Sequence, residues 1–162
     1  MQRRRRLRSG GRTRFWGIVL LIAMMSMPVW AQNWPRFRGP NGQGLSDATG
    51  IPTKWSPQDY DWKIELPGAG HSSPVAWDRK IFVTCADPRT GRGILLCVRA
   101  ADGRERWRRE QDLSKYRLNS LNSFASPTPA LDADHVYVLW PGSETTVLAA
   151  LTHEGDEVWD LP

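Results

Sequence analysis

The chain has 162 residues and a formal net charge of +5, which is enough length for one domain of ordinary size. The positive charge does not indicate a nucleic-acid partner, because seven arginines in the first 31 residues account for the excess and the remainder is slightly acidic. Two cysteines and three scattered histidines match no metal-site spacing, so the sequence predicts no metal site.

Residues 1–31 have the features of a secretory signal peptide. An arginine-rich head precedes the apolar run 15–25, and Pro28 is followed by the small-residue pattern Val-Trp-Ala at 29–31. The apolar run is shorter than the roughly 20 residues of a spanning helix. We therefore expect cleavage before Gln32 and export to the periplasm or cell envelope, with membrane contact only through the leader. An uncleaved anchor is the alternative, because the arginines would then obey the positive-inside rule.

Residues 32–61 are rich in Pro, Gly and Asn and show no sustained period, which predicts an extended arm. We expect Trp34 and Phe37 to pack this arm onto the following domain, in preference to single-stranded nucleic-acid binding by residues 36–38. The glycine-rich stretch 39–44 lacks the Lys-Ser/Thr of a phosphate loop. Next, residues 62–66, which begin at Trp62, alternate between apolar and polar and predict a strand.

Residues 74–107 recur in altered form at 129–159. The block 74–83 aligns on 129–138 with an offset of 55, and the block 95–107 aligns without a gap on 147–159 with an offset of 52. Each copy predicts four short strands separated by turns. The predicted strands are 74–77, 80–85, 94–99 and 105–109 in the first copy, and 128–131, 135–139, 147–151 and 157–161 in the second.

Four antiparallel strands at a period near fifty are typical of a β-propeller blade. The sequence thus predicts an all-β partial propeller over 62–162, with blades at about 71–110 and 126–162 and an N-terminal closing strand at Trp62. Two blades cannot close a ring that normally has four to eight. We expect the chain to be the N-terminal part of a longer propeller, or else to complete a ring by self-assembly.

Cys85 and Cys97 fall on two successive predicted strands. A hairpin centred near Gly91 would place them opposite each other, within disulfide reach, and an exported protein meets oxidising conditions. Two buried thiols that act as small apolar side chains are the equal alternative.

The segment 96–107, Leu-Cys-Val-Arg-Ala-Ala-Asp-Gly-Arg-Glu-Arg-Trp, resembles the tryptophan-docking repeat of quinoprotein, or PQQ-binding-like, propellers. The openings Asn-Trp-Pro-Arg-Phe-Arg-Gly-Pro at 33–40 and Gly-His-Ser-Ser-Pro-Val at 70–75 are similar to those of secreted bacterial members, which include the BamB-like propellers of outer-membrane assembly. The resemblance implies that Trp107 and Trp159 pack between neighbouring blades, with each indole N–H bonded to the next blade's backbone. It implies the same docking role for Trp62, Gly103 and Gly155.

No catalytic constellation emerges from the remaining residues. His71-Ser72-Ser73 places a base near hydroxyls, but a turn that enters the next strand is the stronger interpretation. Asp132-Ala133-Asp134 lacks the further oxygen ligands of a Ca²⁺ site and predicts a tight turn. The arginines at 104, 106, 108 and 109 alternate with glutamates and predict a solvated strand.

The main functional hypothesis is a secreted, non-catalytic binding or scaffold module for envelope proteins or polymers, without a cofactor. The alternative, which the resemblance supplies, is a fragment of a PQQ-dependent oxidoreductase that holds PQQ with calcium.

Overall fold

The structure is a computed structural model that describes residues 32–113 and 115–162. It contains a short 3-10 helix at Pro57–Asp59 and eight strands, β1 (Val75–Trp77), β2 (Lys80–Ala86), β3 (Gly93–Arg99), β4 (Glu105–Gln111), β5 (Ala130–Leu131), β6 (His135–Pro141), β7 (Thr146–Thr152) and β8 (Glu157–Leu161). Strands β1–β4 form one antiparallel sheet in chain order, and β5–β8 form a second. The predicted all-β class, with four antiparallel strands per repeat, is confirmed. Their arrangement as propeller blades stays a prediction.

The hairpin turns are set by residues that tolerate left-handed backbone. Gly103 and Gly155 have φ values of 68° and 89° in the turns before β4 and β8. A side chain is strained in this conformation, and glycine is not. The turn before β2 uses Asp78 at φ 52°, whose backbone N–H donates to Asn33 Oδ1 at 2.8 Å. The glycines therefore close the same hairpin in both repeats.

The strand register corrects the gapless alignment of 95–107 on 147–159. Phe82, Cys97 and Trp107 lie side by side across the first sheet, and Tyr137, Ala150 and Trp159 lie side by side across the second. Cys97 thus corresponds to Ala150 and not to Ala149. The offset falls from 55 in the second strand to 53 in the third and 52 at the tryptophan. Two residues of the length difference therefore lie between the second and third strands, and one lies in the following turn.

The main core lies between the two sheets. Phe82, Leu95 and Cys97 of the first sheet pack in one cluster with apolar residues of the second, which are Leu131, Val136, Val138, Trp140, Ala149 and Leu151. The Trp140 ring fits against the bare backbone of Gly93, where an added Cβ would lie 2.6 Å from the ring. Burial of apolar surface is the dominant favourable contribution to folding, so this core is the main source of stability.

The prediction of a strand at 62–66 is wrong for the described structure. The segment has no regular secondary structure, although Trp62 and Ile64 pack against the buried cluster of Val83, Leu96 and Val98. Alternating residues therefore face the sheet as they would in a strand. No strand of the described ranges lies beside this segment to complete a ladder, and a strand is defined by that pairing.

The start of the arm is bonded to the first sheet and to β5. Trp34 exchanges two backbone hydrogen bonds of 2.9 Å with Ala76, and the carbonyl of Pro35 accepts from Leu131 N–H at 2.7 Å. The expectation that Phe37 also packs is wrong, because this ring is 56% exposed with the Arg38 guanidinium above it. The glycine-rich stretch closes on itself, since Gly44 N–H donates to the carbonyl of Arg38.

Candidate functional site

The clearest repeated contact of the molecule is an indole ring seated on a turn glycine. Trp62 lies against Gly103, where an added Cβ would stand 2.5 Å from the ring. The indole N–H of Trp62 donates to the carbonyl of Ala100 at 2.9 Å. Glycine is needed at this turn for two reasons, since both its backbone conformation and the close ring approach exclude a side chain.

Trp107 makes the equivalent contact with the second sheet. Its ring lies on Gly155, 2.8 Å from where a Cβ would stand, and its indole N–H donates to the carbonyl of His153 at 3.1 Å. Ala100 and His153 are each the first residue after a third strand, so the two carbonyls occupy the same place in their repeats. A large flat side chain with a single donor suits such a junction between sheets.

Charged groups surround the Trp107 junction. The Lys80 ammonium lies 2.6 Å from the Glu154 carboxylate, and Arg106 lies 3.6 Å from its other oxygen. The hydrogen bond from Lys80 lowers the pKa of Glu154. The guanidinium of Arg109 donates to the carbonyl of Gly155 at 2.6 Å. Positive groups of the first sheet therefore meet a negative side chain and a backbone carbonyl in the last turn of the second.

Trp159 is the third residue of this kind, and its ring lies 37% exposed. Its ring lies near that of Tyr137, two strands away in the same sheet, with the ring centroids 6.1 Å apart. Within the described ranges no turn glycine receives its indole. Among the predicted docking residues, the structure thus brings Trp62 to Gly103 and Trp107 to Gly155, and it leaves Trp159 at the surface.

The prediction that Cys85 and Cys97 lie opposite each other is wrong. Cys85 pairs with Ile94 and Cys97 pairs with Phe82, because the hairpin is centred between residues 89 and 90. The two side chains are three positions apart along the ladder and on opposite faces of the sheet, since side chains alternate along a strand. Both thiols are buried and free. Burial raises the pKa of Cys97 to about 12 and raises that of Cys85, which favours unreactive thiols.

The polar groups at 71–73 are engaged in structural contacts. The Ser72 hydroxyl donates to the carbonyl of Thr84 at 2.8 Å, and the Ser73 backbone N–H donates to the Thr128 hydroxyl at 3.0 Å. The backbone N–H of His71 lies 3.1 Å from the Ser123 hydroxyl oxygen. The first of these hydrogen bonds ties the segment before β1 to β2, and the other two join it to the segment before β5.

The aspartate turn at 132–134 closes the hairpin between β5 and β6. One carboxylate oxygen of Asp132 accepts the backbone N–H groups of Asp134 and His135, and the other accepts the Tyr137 hydroxyl at 2.7 Å. The Tyr137 hydrogen bond is the largest of several contacts that lower the pKa of Asp132 to about 2. An aspartate that bonds backbone two and three residues ahead is typical of a tight turn.

The alternating charges of β4 pair locally. The Arg108 guanidinium forms an ion pair with Glu105, and Arg92 of the neighbouring hairpin lies 3.1 Å from Glu110. Exposed pairs of this kind contribute little to stability. Arg104, at the rim of the Gly103 turn, is 80% exposed and lies 3.6 Å from the Asp102 carboxylate.

The arm exposes two aromatic side chains next to its short 3-10 helix. Trp55 and Tyr60 are 62% and 51% exposed, and they flank the 3-10 turn on either side. Asp59 holds this turn by accepting from the Ser56 backbone N–H at 2.6 Å and from its hydroxyl at 2.9 Å. The backbone hydrogen bond lowers the pKa of Asp59. The two rings are thus presented to solvent from a defined turn.

The calcium–quinone site that the resemblance implies as an alternative would need carboxylate ligands at one place. Within residues 32–113 and 115–162, no three His, Cys, Asp or Glu side chains are grouped so as to hold a metal ion. In the same ranges no helix is both long and apolar enough to cross a membrane. The predicted signal peptide lies outside the described residues.

Sequence reasoning missed the Lys80–Glu154 contact and the turn that presents Trp55. Glu154 lies directly before the turn glycine, so its position at the junction could have been found from the repeat. Lys80 and Glu154 are 74 residues apart, and nothing local in the sequence pairs them. The Ser56 and Asp59 spacing is that of a capping box, which was a usable signal for the turn.

No protein-family model matches this sequence, and a search of curated proteins gives no match.

Proposed function

We propose that the chain is a non-catalytic binding or scaffold module of the cell envelope, which recognises an envelope protein or polymer through its arm. The observation that carries this proposal is the pair Trp55 and Tyr60, exposed on both sides of a hydrogen-bonded turn. Exposed aromatic side chains are enriched at the centres of binding interfaces. Two further apolar residues of the arm, Leu45 and Ile51, are also exposed.

The turn lowers the cost of binding. Fixing a flexible aromatic side chain at an interface costs on the order of 1 kcal/mol of ordering free energy. Asp59 and the proline at 57 restrain the backbone between the two rings before any partner arrives. A partner with apolar area, either a protein surface or the ring faces of a polysaccharide, would gain contact with both rings at once.

Retention of envelope material on the immobilised full chain tests the proposal. We expect the native chain to retain a protein or polymer from envelope extract, and the double variant W55A/Y60A to lose at least about tenfold of it. Leu121→Ala is the matched control, because Leu121 is exposed but lies outside the arm. Equal retention by the native chain and the double variant, or retention of nothing by either, would rule the arm out as the binding surface.

A further inference from the structure

The second sheet has an outer face that nothing in the described ranges covers. Two rows of side chains cross β6, β7 and β8 on this face, and they are Tyr137, Ala150 and Trp159, and Leu139, Leu148 and Leu161. Four of the six are large apolar side chains with between 37% and 57% exposure. We call this surface the outer face. Exposed apolar patches of this kind mark interaction sites in soluble proteins.

The repeat indicates what the outer face would contact. The corresponding row of the first sheet is Phe82, Cys97 and Trp107, and it packs against the second sheet with the indole on Gly155. A partner for the outer face must therefore be a sheet with a left-handed glycine in its last hairpin and, beside it, a carbonyl that can accept an indole N–H. Among the residues that the structure describes, the turns at Gly103 and Gly155 have this geometry, and each carbonyl accepts from a tryptophan of this chain.

Only the Gly103 turn is accessible to a second copy. The Gly155 turn is covered by Trp107 and the first sheet behind it. In the described part of the chain, the Gly103 side is covered by the segment that contains Trp62 and Ile64, which has no strand pairing. An open cavity of about 270 Å³ remains there, lined in part by Ile64, Leu96, Val98 and Gly103. The Gly103 side is therefore a partly filled site of the same type.

Charge is compatible with this contact. The two rows of the outer face carry no charged side chain, and on the Gly103 side Arg108 is paired with Glu105 and Arg99 with Asp102. The contact therefore sets no like charges against each other, which would cost free energy.

We propose that this chain associates head to tail with further copies of itself. The outer face of one copy covers the Gly103 side of the next, and Trp159 takes the place of Trp62 on Gly103 and at the Ala100 carbonyl. Trp62 then acts as an intramolecular competitor that weakens assembly. Because the two surfaces differ, the contact is heterologous and builds rings or open filaments in preference to a two-fold dimer. This inference does not depend on the arm or on the proposed function.

Sedimentation velocity of the full chain over a concentration series tests the proposal. We expect association that strengthens with concentration, and W159A and L161S each to weaken it by about tenfold or more. Both residues are exposed, so neither substitution disturbs the core. We expect W62A to strengthen association, because it frees the Gly103 side. The control is L121A, which alters an exposed apolar residue outside the arm and outside the outer face and should leave association unchanged.

W159A should weaken association and W62A should strengthen it, and this pair of opposite effects distinguishes the proposed contact from others. If W159A associates as tightly as the native chain, the outer face is not the contact and the proposal is overturned. A chain that stays monomeric at every concentration, in native and W62A forms alike, also overturns it and leaves the outer face to another partner. Far-UV circular dichroism shows whether each variant is folded. If W62A fails to fold, the association of W159A and L161S is enough to test the proposal.

Discussion

The two sheets share one ladder pattern but differ in what covers their outer sides. Trp62 and Ile64 pack over the outer side of the first sheet, whereas Leu148, Trp159 and Leu161 on the second sheet lie open to solvent. The exposed row that contains Trp159 corresponds in the repeat to the row of Trp107, which the second sheet covers, so residues at the same place in the repeat have unequal energetic roles. The difference shows that a docking tryptophan stabilises the fold only where a turn glycine receives it, since an exposed ring gains little from burial.

The largest contrast is expected between Phe82 and Tyr137, which occupy the same position in the two sheets. Phe82 is fully buried between the sheets and contacts the rings of Trp107 and His153. Phe82→Ala should lower the free energy of unfolding by about 3–5 kcal/mol, because it removes a core ring and leaves a cavity. Tyr137→Ala should cost about 1 kcal/mol. Urea unfolding of the full chain measures both, and equal losses would show that the inter-sheet core is not the main source of stability.

The tryptophans give the second contrast. Trp107→Ala should lower the free energy of unfolding by about 2–4 kcal/mol, since it removes the ring that joins the sheets and the hydrogen bond to His153. Trp159→Ala should cost less than about 1 kcal/mol in a dilute sample. Trp107→Phe keeps a six-membered ring but loses the N–H and the smaller ring of the indole, so it should cost less than Trp107→Ala, about 1–2 kcal/mol. The midpoint of urea unfolding reports each value, and a loss for Trp159 as large as that for Trp107 would contradict the assignment.

Two glycines with similar backbone but different surroundings give the third contrast. Gly155 and Gly50 have φ values of 89° and 75°. An added Cβ at Gly155 would lie 2.8 Å from the Trp107 ring, whereas nothing lies within 4 Å of one at Gly50. Gly50→Ala should therefore cost only the backbone strain, about 1 kcal/mol, and Gly155→Ala about 1–2 kcal/mol more. Thermal unfolding of both variants measures the difference, and equal values would mean that the ring moves aside without cost.

Local patterns were enough to predict the eight strands. Alternation and turn glycines determine where a strand begins and ends, and the turn glycines at 103 and 155 made both last hairpins visible in the sequence. The segment at 62–66 shows the limit of that reasoning. Its alternation is real, since Trp62 and Ile64 face the sheet, but ladder pairing depends on a neighbouring strand that the segment itself does not encode.

The strand register was the second feature that local sequence patterns could not predict. The hairpin between β2 and β3 is centred little more than one residue away from Gly91, yet this shift puts Cys85 and Cys97 on opposite faces of the sheet. The geometry of the loop decides such a shift. Because β2 and β3 are buried on both faces, their sequences show no apolar–polar alternation that would reveal the register. The junction charges were also hidden, because Lys80 meets Glu154 only once the two sheets are packed.

The smallest expected effect is on the pH dependence of stability, and it concerns the Asp132 turn of the second sheet. The Tyr137 hydroxyl and two backbone N–H groups hold the pKa of Asp132 at about 2, below its ordinary value of 3.8. A carboxyl group with a lowered pKa contributes stability above its unfolded pKa, and that contribution is lost as the pH falls from about 4 towards 2. Tyr137→Phe removes the largest of these contacts, so the pKa of Asp132 should rise and less stability should be lost over that pH range. Tyr116→Phe, which leaves the turn intact, is the control. Unfolding midpoints between pH 5 and about pH 2, with an NMR titration of the Asp132 carboxyl, measure the effect, and identical profiles for the native and Tyr137→Phe chains would show that the hydroxyl does not hold the turn.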